Sequence, residues 1–565
     1  MQRDFFGNRQ SSASYLKSAV AKLYSDDDEF IVLGLTGRTG SGCSTAASLL
    51  QSAVDEIKHS LFSGENPASN EQRKERILLK YFEHAWRPFI LIQVRSMITT
   101  FLLEEDPNVC TNFLEQLIPS AMKLHNFQEL LEEMRQGYLR SQREAAVSFD
   151  LVQYYSFELP RQCERLRELI GESEFVMLYQ EVGKNIRLSG RPFDSELEEG
   201  KFFALAERVD QVILALKAQR AREGRETFIV IDALRNPLEA IFFQDRYTSF
   251  FLLAVSAPEE HRLARLRSRK FSEEDIRRID EAENTEHQLG EPEFYSVQDI
   301  PSCLQRADLY VSNPETVSRV NQYQSLANQL IKFVALIRRP GIITPSPIER
   351  CMQMAYTAKL NSGCISRQVG AVVTDEGFSL RSVGWNDAPF GHVPCNLRNR
   401  DDLLGGRDSS AYSEFEKTSE PYLAAFRQRS LKFVPIVSGG RNNSFCFKTE
   451  YNAFTGERNQ VHTRSLHAEE NAFLQISKYG LGAIEGGNLF TTASPCELCA
   501  KKAYQLGIVG IYYIDPYPGI AVGHILRGGS NNPKMILFSG AIGRAFHRLY
   551  TPIVAYKDEL NALVQ

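Results

Sequence analysis

The chain has 565 residues, 43% of them hydrophobic and 24% charged, with a formal net charge of −5. At roughly 150 residues per domain that length favours three or four structural units over one, and the balance is that of an ordinary globular protein, which excludes a disordered or fibrous chain. Residues 341–565 carry 23 Lys and Arg against 19 Asp and Glu, and the remainder 42 against 51, so neither part has the strongly basic balance of a domain that wraps long nucleic acid.

The first 28 residues read as an N-terminal extension without the apolar run of a secretion signal, and nowhere do 18 consecutive apolar residues occur. The expectation is a cytoplasmic protein without membrane contact. Ten cysteines are too sparse for a disulfide framework, so a close pair reads as metal ligands or a redox group. Cys496 and Cys499 are that pair.

Residues 29–36, EFIVLGLT, predict a strand; the glycine-rich GRTGSGCST follows, and AASLLQSAV continues at helical spacing. Gly37, Gly40, Gly42, Ser44 and Thr45 suit a loop whose N–H groups turn towards phosphate at a helix N-terminus. The segment fits G-x-x-x-x-G-K-[ST] except that Cys43 stands where the lysine belongs, which removes the charge that reaches the β and γ phosphates. Anion binding survives this change, whereas phosphoryl transfer loses a transition-state charge for which Arg38 is the conceivable substitute.

Residues 72–190 are dominated by helical patterns and predict an inserted helical subregion or lid. Strands are expected at FIVID (228–232), SFFLLAVSA (249–257) and ADLYVSN (307–313), alternating with helices as in a parallel sheet. Asp232 ends FIVID, where P-loop proteins carry a metal-organising acid, and Arg235 follows it. HRLARLRSRK places Arg262, Arg265 and Arg269 near one face, either a set of lid arginines or a solvated helix face. Residues 29–316 thus resemble the P-loop nucleotide kinase-like fold, which implies a nucleotide with Mg2+ at the glycine loop.

A linker helix and loop are expected over 317–344, where RRPGIITPSP interrupts any periodicity, and a second domain over 345–565. ERCMQMAYTAKL predicts its first helix, with strands at QVGAVVTD and SLRSVGWN; residues 396–460 read as a loop-rich insertion. His467-Ala468-Glu469 and Pro495-Cys496-Glu497-Leu498-Cys499 have the form H-x-E and P-C-x-x-C, the signature of zinc-dependent nucleobase deaminases. Cys496 and Cys499 are one turn apart on a helix and His467 adds a third ligand, leaving a fourth tetrahedral position for water, as in a catalytic Zn2+ site. Glu469 is the candidate proton carrier. His392, Cys395, Cys446 and His462, with Cys364, read either as a second, structural zinc site or, preferably, as unrelated residues, because their spacing matches no compact motif.

On these two motifs, with TPSPIERCMQMAYTAKLNSGCISRQVGAVV and VGWNDAP, the second domain resembles the cytidine and deoxycytidylate deaminase superfamily. The resemblance implies an α/β/α domain, with Asn386 contacting the substrate sugar, although a turn Asn capping its own backbone is the alternative. It also points to Tyr517, in YIDPYPGIA, as a substrate contact. The fold class is therefore α/β: a P-loop kinase-like parallel-sheet domain with a helical insertion, followed by a deaminase-like domain. As a fusion the whole chain resembles the anti-phage dCTP/dCMP deaminases, which implies hydrolysis of free deoxycytidine nucleotides, depletion of the dCTP pool, a homo-oligomer and an inhibitory partner such as a small RNA. The rival readings are a cytosine-editing deaminase of RNA or single-stranded DNA and a nucleotide-sensing switch with little catalysis.

Overall fold

The structure, a computed structural model, describes residues 29–106, 109, 115, 121–144, 149–284, 294, 296–314, 324–433, 439–480, 482–516 and 520–564. The N-terminal extension and Tyr517 lie outside the described residues. The chain divides into two compact units, Met1–Thr344 with Ser539–Gln565, and Pro345–Phe538.

In the first unit the apolar run forms β1 (Phe30–Thr36), with six of its seven residues buried. Such a strand belongs in the middle of a sheet covered on both faces. The sheet also contains β2 (Ile90–Gln93), β3 (Thr227–Asp232), β4 (Phe250–Ser256) and β5 (Leu309–Ser312). Their order is β5-β4-β1-β3-β2, all parallel. β2 and β3 lie to one side of β1, and β4 and β5 to the other, so the winding reverses beside β1, which opens a crevice at the carboxyl ends of the strands where ligands bind in such sheets.

Three expectations for this region need correction. The stretch 72–190 is not wholly helical: β2 lies within it and pairs with β3, a four-residue strand too short to show periodicity. The helix expected over 317–344 is present as Gln324–Arg338, but it is no linker: its Leu326, Leu330, Ile331, Val334 and Ile337 are buried in the core of this unit. The chain end expected in the second domain belongs here as well. Ser539–Gln565 includes a two-residue strand, Gly540–Ala541, antiparallel to β5, and the helix Gly543–Tyr550, which buries Ala545 and Leu549 in the same core. The outer edge of β5 would otherwise present unpaired backbone groups.

The second unit is a five-stranded sheet built from β6 (Gly370–Thr374), β7 (Leu380–Trp385), β8 (Asn488–Ala493), β9 (Gly510–Asp515) and β10 (Lys534–Leu537), in the order β10-β9-β8-β6-β7. β6 pairs antiparallel with β7 and β8, while β8, β9 and β10 run parallel. Alternate residues of the strands, among them Ala371, Leu489 and Ile511, share a core with Ala472 and Phe473 of the helix Ala468–Tyr479 and Ala500 and Ala503 of the helix Glu497–Gln505. Small residues on both helices let them lie close to the sheet. The 396–460 insertion is not loop-rich: the helices Arg400–Leu404, Glu414–Thr418, Glu420–Ser430 and Phe447–Thr455 surround an aromatic core of Tyr412, Tyr422, Phe426 and Phe445. Arg398 and Arg400, both buried, ion-pair with Glu416 and Glu450 inside it. No helix among the described residues is long and apolar enough to cross a membrane.

Candidate functional site

The metal-ligand candidates converge in the second unit. His467 caps the N-terminus of the helix Ala468–Tyr479, and Cys496 occupies the same position on the helix Glu497–Gln505, which carries Cys499 in its first turn. Both helices begin at the carboxyl end of the sheet, because β8 ends at Ala493, three residues before Cys496. His467 Nδ1 is 3.3 Å from Cys496 Sγ and 3.5 Å from Cys499 Sγ. Zn–S and Zn–N bonds of about 2.3 and 2.0 Å at tetrahedral angles require an S···N edge of roughly 3.5 Å, so the three side chains fit zinc without rearrangement. They form the one group of three or more such ligands within 4.8 Å among the described residues. His392, Cys395, Cys446, His462 and Cys364 do not form such a group among those residues; Cys395 is buried and the His462 ring packs on Tyr451.

The electrostatics suit a cation. A hydrogen bond from Cys499 and a second contact with His467 hold the Cys496 thiol down to about 4, against the opposing effect of burial. The same hydrogen bond and burial push Cys499 up. Glu469, in the first turn of the His467 helix, is 4% exposed, and burial raises its carboxyl above the ordinary range. Thr491 Oγ1 lies 3.5 Å from Glu469 Oε1 but donates its proton to the Ala493 carbonyl at 2.7 Å. The carboxyl also hydrogen-bonds with its own backbone N–H and the Cys499 side chain, which sets it beside the metal triangle.

Asn386 follows β7 and is nearly buried. Its Oδ1 accepts from the Val369 N–H at 2.6 Å, and its Nδ2 donates to the Arg367 carbonyl at 2.7 Å. In this structure the side chain fastens the 362–369 loop to the sheet by bonds to distant backbone, not to its own turn. Sequence reasoning missed a neighbour of that loop, the Arg367–Asp515 ion pair. The two residues are far apart in the chain and belong to no motif.

In the first unit the glycine loop borders a cavity of about 330 Å³ lined by residues 38–45 other than Ser41, together with Asp232, Arg235, Arg265, Ser268 and Arg269. Gly42 has φ +108°, and a Cβ there would lie 2.0 Å from Asn313 Nδ2, so only glycine fits. Burial, aided by Asp232, pushes the Cys43 thiol up to about 12. The residue in the lysine position is thus neutral. Asp232, at the end of β3, accepts a hydrogen bond from Ser44, and burial raises its carboxyl despite that bond.

Of the three arginines of HRLARLRSRK, two border the cavity and two hold the loop itself. Arg262, 1% exposed, binds Glu259, Asp280 and the Thr39 carbonyl; Arg265 donates to the carbonyls of Gly40, Ser41 and Asn313. Both brace the loop; Arg265 also borders the cavity, as does the exposed Arg269. Arg38 ion-pairs with Glu259 and Asp280, both at 3.0 Å. Fully buried Glu283 receives the Thr39 N–H and the Arg235 guanidinium. No sequence motif marked Glu283 or Asn313.

Residues 345–515 match the family of the cytidine and deoxycytidylate deaminase zinc-binding region. The chain is 30% identical over 166 residues to the deoxycytidylate deaminase of Enterobacteria phage T2, spanning 29% of this chain and 78% of the phage protein. It is 29% identical over 167 residues to the deoxycytidylate deaminase of Enterobacteria phage T4, spanning 29% and 76%. Among solved structures it is similar to the dCMP deaminase from cyanophage S-TIM5 in complex with dCMP and dUMP, at 21% identity over 35% of this chain and 99% of that one, with a TM-score of 0.21. The matched segment contains His467, Glu469, Cys496 and Cys499 and ends at Asp515. By a relative matched over most of its own length, this chain belongs to the cytidine and deoxycytidylate deaminase family.

Proposed function

We propose that the protein deaminates free deoxycytidine nucleotides, dCMP or dCTP, to the deoxyuridine nucleotides, and that its first unit binds a nucleotide and regulates that activity. The observation that carries the first part is the His467–Cys496–Cys499 triangle with buried Glu469 one turn away. Zinc held there supplies Lewis acidity that lowers the pKa of water towards neutrality. Glu469 accepts one proton as water adds to C4 of the cytosine ring and passes it to N3, then takes the second proton from the new C4 hydroxyl and gives it to the departing amine. The C4–N bond breaks, ammonia leaves and the uracil ring remains. Glu469 suits this exchange because burial raises its proton affinity above that of an ordinary carboxylate. The deoxyribonucleotide substrate class rests on the phage deoxycytidylate deaminases that the chain resembles.

Regulation is the second part. The glycine loop after β1, the acid ending neighbouring β3, and an arginine-rich cavity support nucleotide binding, with Ser44 and Asp232 suited to Mg2+. Neutral Cys43 and the carboxylate-paired Arg38 argue for binding without efficient phosphoryl transfer. Depletion of the dCTP pool in antiviral defence, a cytoplasmic site of action and control by an RNA or another partner extend the proposal by resemblance. The modest +4 balance of residues 341–565 disfavours the editing of long nucleic acids.

Product analysis after incubating zinc-replete protein with dCTP, dCMP, cytidine and a cytosine-containing oligonucleotide tests the proposal. Uracil nucleotide from dCTP or dCMP supports it, and conversion of the oligonucleotide alone overturns it.

A further inference from the structure

Three donors at the start of the glycine loop are already held by carboxylates of a single helix. In a lysine-bearing loop the lysine reaches the outer phosphates; neutral Cys43 cannot, so that task falls to cations that line the cavity, among them Arg38 and Arg235. Arg235 donates to Glu283 Oε1 at 2.5 Å, and the Thr39 N–H donates to the two Glu283 oxygens at 3.1 and 3.0 Å, with Thr39 Oγ1 as a further donor. Arg38 pairs with Asp280 at 3.0 Å. Glu283 and Asp280 lie three residues apart on the helix Glu273–Asn284, which Ile276 and Ile279 anchor against Leu266 of the helix Glu259–Ser268.

The inner end of the loop differs. The first bond of the helix Cys43–Gln51 runs from the Ala46 N–H to the Gly42 carbonyl at 3.0 Å. The N–H groups of Cys43, Ser44 and Thr45 therefore point out of the helix start, the place of inner phosphates. Glu283 is fully buried, and a buried carboxylate persists only where donors satisfy it. A backbone N–H, a hydroxyl and a guanidinium converging on its oxygens are the donor set such a loop otherwise offers a phosphate.

We infer that Glu283 sets the phosphate number the first unit accepts: it fills the place of a terminal phosphate, so the site takes a nucleoside diphosphate and gains nothing from a third phosphate. This rests on the nucleotide-binding reading of the first unit. A third phosphate would add negative charge beside a buried carboxylate that already engages Thr39 and Arg235.

The test is calorimetric binding of pyrophosphate and tripolyphosphate, each with excess Mg2+, to zinc-replete full-length protein, with Ser44→Ala identifying the signal that comes from the glycine loop. Probes without a base isolate the phosphate contacts. In wild type, tripolyphosphate should bind no more than about fivefold tighter than pyrophosphate. Glu283→Ala leaves the Thr39 N–H and Arg235 to the ligand, and Glu283→Gln removes the charge but keeps the shape. A new charge-assisted contact is worth roughly tenfold to a hundredfold in affinity. Tripolyphosphate should tighten by that factor in Glu283→Ala and by less in Glu283→Gln, with pyrophosphate within about threefold of wild type in both. Equal changes for the two probes would show that Glu283 only supports the loop, and a wild-type preference for tripolyphosphate beyond about fivefold would show that the outer position is open; either overturns the inference. The wild-type ratio decides the matter even where a variant fails to fold. Pyrophosphate bound by wild type and lost in Ser44→Ala, without the contrast between probes, refutes the role of Glu283 alone. Wild-type protein that binds neither probe at the loop refutes the nucleotide reading and this inference with it.

Discussion

Replacing Glu469 with glutamine isolates the proton carrier from the rest of the site. The side chain is 4% exposed, and its carboxyl is already raised by burial, so an isosteric neutral amide enters with little change in packing or desolvation. Stability should shift by less than about 1 kcal/mol, since no charge pair is broken and no cavity is opened. The ligand triangle does not include Glu469, so zinc content should stay at one ion per chain. Turnover should fall by roughly 10²- to 10⁴-fold, the contribution of a positioned acid–base group, because glutamine keeps the shape and cannot shuttle a proton. Chromatography of the uracil nucleotide, metal analysis and a thermal melt on the same sample separate these effects. A variant that retains activity within tenfold of wild type would refute the assignment of Glu469, and one that loses its zinc would show that the carboxyl supports the metal site instead.

Further outcomes follow from other buried groups. With its thiol pushed up to about 12 by burial, Cys43 should alkylate at pH 8 roughly a thousandfold more slowly in the folded protein than in urea, given an ordinary thiol near 8.5; mass mapping of the modified peptide checks this, and rapid labelling in the native state would contradict it. Gly42→Ala puts a Cβ 2.0 Å from Asn313 Nδ2 at φ +108° and should cost about 2–3 kcal/mol in backbone strain and in the Asn313–Ser41 hydrogen bond, read as a lower unfolding midpoint and weaker nucleotide binding. Burial and Arg367 lower Lys359 to about 8 against the stabilising pull of Asp515. The unfolded chain keeps that proton to about pH 10.5, so stability from this group rises between pH 8 and 10.5 and is absent below 8. Lys359→Met should therefore be more stable than wild type by up to roughly 3 kcal/mol at pH 7, with the advantage shrinking towards pH 10 in urea titrations; an advantage constant across that range would refute it.

The chemistry was legible in the sequence where it is local. His467 and Glu469 are two residues apart at a helix start, Cys496 and Cys499 lie within one turn, and the glycine loop is a single turn between strand and helix. Short-range geometry alone fixes what such groups can do. Tertiary structure decided whatever depends on residues distant in the chain. It brought His467 to within 3.5 Å of both cysteines, because the two helices that carry these ligands pack side by side on one face of the second sheet. It turned Arg262 and Arg265 towards loop carbonyls, because Glu259, Asp280 and Asn313 converge there, and left Arg265 bordering the cavity as well. It placed Ser539–Gln565 on the first unit, because the open edge of β5 and an apolar core gave a two-residue strand and an amphipathic helix somewhere to bind. It also joined Arg367 to Asp515, which no spacing announced. A strand of two or four residues carries too few side chains to show a period, and an ion pair between distant residues leaves no local trace in the sequence; both exist only once the sheets have formed.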